Sequence, residues 1–156
     1  MSKESVQAQL LADIENEEEV VSDWFLVDQE RINLFADATE DHQWIHVDRE
    51  RAKAQSPYKD TIAHGFLTLS LLPGLSGAVK DGGSNYEGVK LSVNYGLNKV
   101  RFPAPVLTGS RVRLRRRLKE VSDVPGGLQL IAEAHIEIEG GDKPCCVAET
   151  VSRLYF

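Results

Sequence analysis

Leu128-Gln129-Leu130-Ile131-Ala132-Glu133-Ala134-His135-Ile136-Glu137-Ile138 alternates more regularly than any other part of this chain. Leu128, Leu130, Ala132, Ala134, Ile136 and Ile138 share one parity, and Gln129, Ile131, Glu133, His135 and Glu137 share the other. Successive side chains of a strand point to opposite sides, so this pattern predicts a strand with one apolar and one mostly polar face. A sheet built from such strands is antiparallel and covered on one side. Turn signals bracket the strand: Val124-Pro125-Gly126-Gly127 before it and Glu139-Gly140-Gly141-Asp142 after it. Turns this short join antiparallel neighbours. Arg111 to Leu118 and Cys146 to Tyr155 supply those neighbours. Earlier, Val89, Leu91, Val93 and Tyr95 alternate with Lys90, Ser92 and Asn94, and Pro103-Ala104-Pro105 marks the turn beyond them.

The apolar face of that sheet needs a cover. Gly65 opens a run in which Phe66, Leu67, Leu69, Leu71, Leu72 and Leu75 leave no fully polar helical face. A helix apolar nearly all round belongs inside a protein. Pro73 should bend it or end its first part, and Asp81-Gly82-Gly83-Ser84 should form a loop. Upstream, Val6, Leu10, Leu11 and Ile14 predict an amphipathic helix from Ser5 to about Glu17, ending in the acidic run Glu15 to Glu19. Glu19 to Val27 reads as a strand or extended lead-in. Asp28 can cap a short helix carrying Ile32, Leu34, Phe35 and Ala38, and Asp48 can cap a second near Asp48 to Gln55. Asp41 to His46 should be the loop between them. The expectation is one α+β unit spanning residues 1–156, an antiparallel sheet wrapped around one helix, with a helical extension at about 1–18.

At 156 residues, 42% hydrophobic and 27% charged, the chain suits an ordinary globular domain with a sizeable core. A net charge of -6 argues against nucleic acid or an anionic membrane as partner. The most apolar stretch, Gly65 to Val79, is too short to span a bilayer. No secretory signal is visible at the first residues, and the setting expected is a reducing cytoplasm. Cys145 and Cys146 are adjacent in a predicted strand and should point to opposite faces, which suits neither a disulfide framework nor zinc.

The stretch with chemical potential is Asp41 to Gly65. Asp41 and His46 are five residues apart with Gln43 between them, and Ala63-His64-Gly65 leads into the apolar helix. A carboxylate and an imidazole can handle a proton or a water molecule. Backbone N–H groups at a helix start can hold an oxygen that becomes negative, and a glycine lets a substrate approach closely. Taken singly, Asp41 can cap a turn and His46 can be a hydrogen-bonded structural histidine. His42 and His46 have the i,i+4 spacing of a metal pair, but no third ligand is evident, so no metal is expected. His64 reads as a structural partner in its loop. Arg111, Arg113, Arg115 and Arg117 would share one strand face, where a solvated face or pairing with neighbouring acids is favoured over phosphate binding.

Phe35-Ala36-Asp37-Ala38-Thr39-Glu40-Asp41-His42-Gln43-Trp44-Ile45-His46, followed by Ala63-His64-Gly65, resembles the signature of MaoC-type (R)-specific enoyl-CoA hydratases. Gln43 and Trp44 stand where the common pattern has Asn and Pro. In this they resemble the branch containing nodulation protein N-like proteins and hydroxyacyl-thioester dehydratases, as does Tyr95-Gly96-Leu97-Asn98-Lys99-Val100-Arg101-Phe102-Pro103-Ala104-Pro105-Val106. The resemblance implies a hot-dog fold, a curved antiparallel sheet around a long central helix, as a homodimer. It also implies a lyase of fatty acid metabolism that reversibly adds water to trans-2-enoyl thioesters, giving (R)-3-hydroxyacyl thioesters. Asp41 and His46 would act on one water. Gly65 would bind the thioester oxygen, with Gln43, His64 and Asn94 as further substrate-binding candidates and Arg101 near the acyl chain or CoA. CoA is the expected carrier, with acyl carrier protein open, and no metal or redox cofactor is implied. A thioesterase and a non-catalytic acyl-thioester binding protein are the rival readings.

Overall fold

The computed structural model describes residues 2–77, 79–80 and 83–156. The first element is helix α1 (Lys3–Glu15), capped by the Ser2 hydroxyl accepting from the Ser5 N–H. Two short strands follow, β1 (Glu19–Val21) and β2 (Phe25–Val27), then three helices: α2 (Gln29–Thr39), α3 (Trp44–Val47) and α4 (Arg49–Gln55). The apolar segment forms α5 (Gly65–Ser70) and α6 (Leu72–Leu75). A small hairpin, β3 (Val79–Lys80) and β4 (Gly83–Ser84), leads to the long strands β5 (Leu91–Arg101), β6 (Ser110–Val124), β7 (Gly127–Ile138) and β8 (Cys146–Tyr155).

The long strands and β1 form one antiparallel sheet in the order β1-β6-β7-β8-β5, with β2 also paired to β6. The register follows from the turns: Val124 pairs Gly127 across Pro125-Gly126, where Gly126 takes a positive φ of 77°. Strand β7 meets the expectation from its alternation, since Leu128, Leu130, Ala132, Ala134 and Ile136 are all buried. Two apolar clusters grow from this face. Val27, Ile32, Leu67, Leu72, Val112, Leu114, Ile136 and Cys146 join in one, beneath α2 and α5. Val6 and Leu10 of α1 join Leu128, Leu130 and Leu154 in the other. The N-terminal helix is therefore part of the core.

Three expectations are corrected. The central helix is not one long element but two short ones with Leu71 between them. Pro73 has no N–H to donate and its ring crowds the carbonyl four residues back, so it is accommodated in the first turn of a new helix. His46 sits on the single helical turn α3 instead of in a loop. The cysteines do not face opposite sides: Cys145 precedes β8, turns inward and donates its Sγ–H to the Ile136 carbonyl, so both thiols are buried. The capping expectations hold, with Asp28 accepting from the Arg31 N–H at 2.9 Å and Asp48 from the Arg51 N–H at 3.0 Å. Strand β5 runs along the sheet edge with register shifts near Gly96 and Asn98, and its Leu91 and Tyr95 are exposed despite their alternation. The loop expected at Asp81-Gly82-Gly83-Ser84 falls partly outside the described residues, and Gly83–Ser84 is β4. No helix among the described residues is long and apolar enough to cross a membrane.

Leu10 is 1% exposed and its neighbour Leu11 is 48% exposed. Leu10→Ala should therefore cost about 2–5 kcal/mol, whereas Leu11→Ala should stay within about 1 kcal/mol. Urea unfolding of the two variants beside wild type measures the contrast.

Candidate active site

Helix α2 ends at Glu40, whose φ of 61° turns the chain sharply into Asp41. The next turn, α3, starts at Trp44, a first-turn position that also suits proline. Here the indole fills it and carries the Arg51 guanidinium 4.5 Å above its ring. Two sequence-distant anchors then fix His46. Its backbone carbonyl accepts from Gln29 Nε2 at 2.7 Å, and Gln29 Oε1 in turn accepts from the Thr61 hydroxyl at 2.5 Å. The Ile62 N–H donates to the Ile45 carbonyl at 3.0 Å. Asp60 holds the start of this second segment by accepting from the Thr61 N–H and by a two-point pair with Arg49 at 3.0 and 2.7 Å. Those Arg49 hydrogen bonds keep the Asp60 carboxyl down at about 2. The Ala63 N–H closes the frame on the Val106 carbonyl at 2.7 Å.

Within this frame the two histidine rings stack, with centroids 3.8 Å apart and planes inclined by 23°. His46 Nδ1 lies 2.7 Å from the Ile62 carbonyl. A carbonyl only accepts, so Nδ1 is the protonated nitrogen and Nε2 keeps the lone pair. His64 Nε2 likewise donates to the Asp41 backbone carbonyl at 2.9 Å, and lies 4.0 Å from Asp41 Oδ2. His64 Nδ1 is buried with no hydrogen-bond partner among the described residues. Asp41, His46 and His64 each present a donor atom, all within 4.8 Å of one another. That spacing suits one water between Asp41 and His46, since two hydrogen bonds of about 2.8 Å span it.

The environments differ. His46 is 7% exposed, while the Asp41 side chain is 52% exposed. Burial pushes the His46 imidazole below its ordinary value of 6.5; its hydrogen bond to Ile62 opposes this, the nearby His64 adds to it, and Asp41 opposes it. A neutral imidazole with a free Nε2 is a base ready to take a proton.

Gly65 is the first residue of α5, so its N–H has no partner within that helix. The reason for glycine here is the Phe102 ring, whose atoms lie 2.9–3.0 Å from where a Cβ would be. Phe102 in turn meets Phe66 edge to face at 6.2 Å. Gln43 sends its backbone N–H toward Asp41 Oδ1 at 3.4 Å and its side chain is exposed. Asn94 is on β5, in the wall of a cavity of about 620 Å³ whose lining includes Leu69 of α5 but none of Asp41, His46, His64 and Gly65. Arg101 is exposed and bonds the Val100 carbonyl.

His42 turns away to Asp37 at 2.9 Å, so it makes no pair with His46. The third polar group beside Asp41 and His46 is His64. As a cation site the trio is poorly arranged: each histidine commits one nitrogen to a carbonyl, and His64 Nδ1 is sealed off. The buried thiols of Cys145 and Cys146, raised by desolvation to about 12 and about 11, are no nucleophiles. The arginines of β6 meet carboxylates as expected: Arg111 pairs with Glu139, Arg113 and Arg115 with Glu137, and Arg115 and Arg117 with Glu19. Sequence reasoning missed Gln29 and Thr61, which carried no signal beyond being polar in short apolar segments.

A family model described as "MaoC like domain" matches residues 12–135. The chain is 56% identical over 133 residues to 3-hydroxyacyl-thioester dehydratase Z of Mycobacterium tuberculosis, covering 85% of each. It is 45% identical over 143 residues to nodulation protein N of Rhizobium leguminosarum bv. viciae, covering 86% of this chain and 83% of that one. Among solved structures, the (R)-hydratase from A. caviae involved in PHA biosynthesis superposes with a TM-score of 0.70 at 21% identity, over 87% of this chain and 93% of that one. A monoamine oxidase regulatory protein from Archaeoglobus fulgius gives 0.75 at 23%, over 89% of each. The chain belongs to the MaoC-like family and has its hot-dog fold.

The protonated Nδ1 and buried ring of His46 lead to a measurable consequence. Its folded value lies below 6.5, so the unfolded chain takes up a proton first as pH falls. The stabilisation is present above the unfolded value and is lost on acidification through the folded one. The His46 ring resonances should titrate with a midpoint below 6.5, and His46→Gln should weaken the acid destabilisation in that window.

Proposed function

We propose that this chain is an (R)-specific enoyl-thioester hydratase, equally a 3-hydroxyacyl-thioester dehydratase, and so a hydro-lyase. The observation that carries the reading is the grouping of buried His46 with the Asp41 carboxylate and His64, their donor atoms within 4.8 Å, next in sequence to the Gly65 helix start. Membership of the family and 56% identity to a named 3-hydroxyacyl-thioester dehydratase point the same way.

In the hydration direction, Asp41 and His46 hold one water over C3 of the enoyl chain. His46 Nε2 takes a proton as the oxygen adds to C3. The electron pair of the double bond moves to the thioester oxygen, where the Gly65 N–H meets the negative charge. The imidazolium then returns its proton to C2 on the same face, so one water is added and no other reagent is consumed. Asp41 orients the water and steadies the imidazolium. Stacked against His46, His64 holds the Asp41 backbone in place through its Nε2.

The proposal extends to CoA as carrier, with acyl carrier protein as the other carrier, and to a reaction needing no metal or redox cofactor. It includes a homodimer. Edge strand β5, eleven residues long, presents exposed Leu91, Tyr95 and Leu97, and exposed Phe66 and Phe102 flank the site. A long apolar edge is a place for a second sheet to join. A cytoplasmic setting accords with two free, buried thiols.

Addition of the protein to crotonyl-CoA or longer enoyl-CoA should remove the enoyl absorbance without releasing free thiol. Asp41→Asn and His46→Ala should each lower kcat by about 10²–10⁴, and EDTA should leave the rate unchanged. Full activity in both variants, or thiol release as the main product, overturns the assignment. Light scattering should return about twice the 17.3 kDa of one chain.

A further inference from the structure

The inward parity of β6 reads Val112, Leu114, Arg116, Leu118. Val112 and Leu114 are fully buried in one apolar cluster, and Leu118 packs against the other. Arg116 lies between the two, on the covered side of the sheet. Its partner across the ladder is Ala134, and Ala134 pairs with Ala148 beyond. The layer on one side is Leu114, Ile136 and Cys146. Replacing large side chains by two alanines opens the space that the cavity of about 620 Å³ occupies.

Arg116 lines that cavity together with Leu69, Leu72, Tyr86, Asn94 and Ser152. The other arginines of β6 have carboxylates, but among the described residues no carboxylate pairs with Arg116. Its electrostatic neighbour is the Tyr86 phenol, itself partly buried. Desolvation lowers the guanidinium from 12.5, yet a guanidinium stays charged in proteins. A partly buried guanidinium that faces a cavity without a carboxylate is well matched to an anionic partner. The cavity also takes in Leu69, about 6 Å along α5 from Gly65, so an acyl chain whose thioester rests on Gly65 and which follows that helix would bring its far end toward Arg116.

We propose that Arg116 is a specificity-determining residue that selects acyl thioesters bearing a second carboxylate at the distal end of the chain. The fork of a guanidinium matches the two oxygens of a carboxylate. Asn94 and Ser152 offer further hydrogen-bonding groups in the same wall. This inference rests on the hydratase reading for the position of the thioester.

The test compares 2-enoyl-CoA substrates of six, eight and ten carbons with and without a terminal carboxylate, in wild type, Arg116→Met and Arg116→Lys. Wild type should favour the carboxylated substrate at one or more lengths. Arg116→Met should lower the ratio of kcat/KM for carboxylated over plain substrate by at least about tenfold, since one partner of a desolvated pair is gone. Arg116→Lys, which keeps the charge but not the fork, should fall between and serves if the Met variant fails to fold. A wild-type enzyme with no preference at any length, or equal losses on both substrates, overturns the proposal. Calorimetry with the saturated acyl-CoA esters of the same three lengths, with and without the terminal carboxylate, which cannot be hydrated, separates the two readings. Selective binding of a carboxylated ester without turnover of any enoyl-CoA refutes the hydratase reading alone. Turnover of plain enoyl-CoA without that selectivity at any length refutes the role of Arg116 alone.

Discussion

The fold depends on covering one face of three strands. β6, β7 and β8 present a continuous apolar surface, and only helices packed against it can keep it from water. α1 covers one end through Val6 and Leu10, and α5 covers the other through Leu67. Between them Ala132, Ala134 and Ala148 keep the sheet surface low. A helix of eleven unbroken residues would project its side chains evenly along the sheet. Pro73 instead divides this cover at Leu71 into α5 and α6.

The site is assembled from two segments separated by about one helix and a loop, and backbone carbonyls do the assembling. Ile62 fixes the tautomer of His46, and the Asp41 carbonyl fixes the ring of His64. Carbonyls cannot donate, so this arrangement leaves His46 Nε2 unprotonated whenever the ring is neutral. Burial then favours the neutral ring. Asp41 stands half in solvent. Two titratable groups in unlike surroundings can therefore play unlike parts, with the buried ring exchanging the proton and the exposed carboxylate orienting the water.

Much of this was legible in advance. The alternation of β7, the turns at Pro125-Gly126 and Gly140-Gly141, and the caps at Asp28 and Asp48 are local signals that tertiary structure had no reason to override. Asp41, His46 and Gly65 were legible as a group because their types and order matched a signature. What stayed hidden was set by contacts between distant residues. The helical turn at His46 is held by Gln29 and Thr61, which no local pattern links to it. Gly65 was read as room for substrate, whereas the structure gives Phe102 as the neighbour that needs the room. On β5, the alternation of Leu91 and Tyr95 gives no buried face because the strand lies at the edge and its register shifts twice. The inward parity of Arg116 was readable from Val112, Leu114 and Leu118, but the charged run Arg115-Arg116-Arg117 obscured it.

That parity also bears on why an arginine should stand there. Stability alone gives no reason, because well-packed apolar side chains commonly serve at least as well as a buried charge. The alanines opposite leave ample volume for a leucine or methionine, so packing gives no reason either. Solubility is served on the outward face, where Arg111, Arg113, Arg115 and Arg117 already meet their acids. A charge that profits neither core nor surface is best explained by something that enters the cavity from outside the chain. The groups around Arg116 limit what that can be: mostly hydrocarbon along the way, and an acceptor of hydrogen bonds at the end.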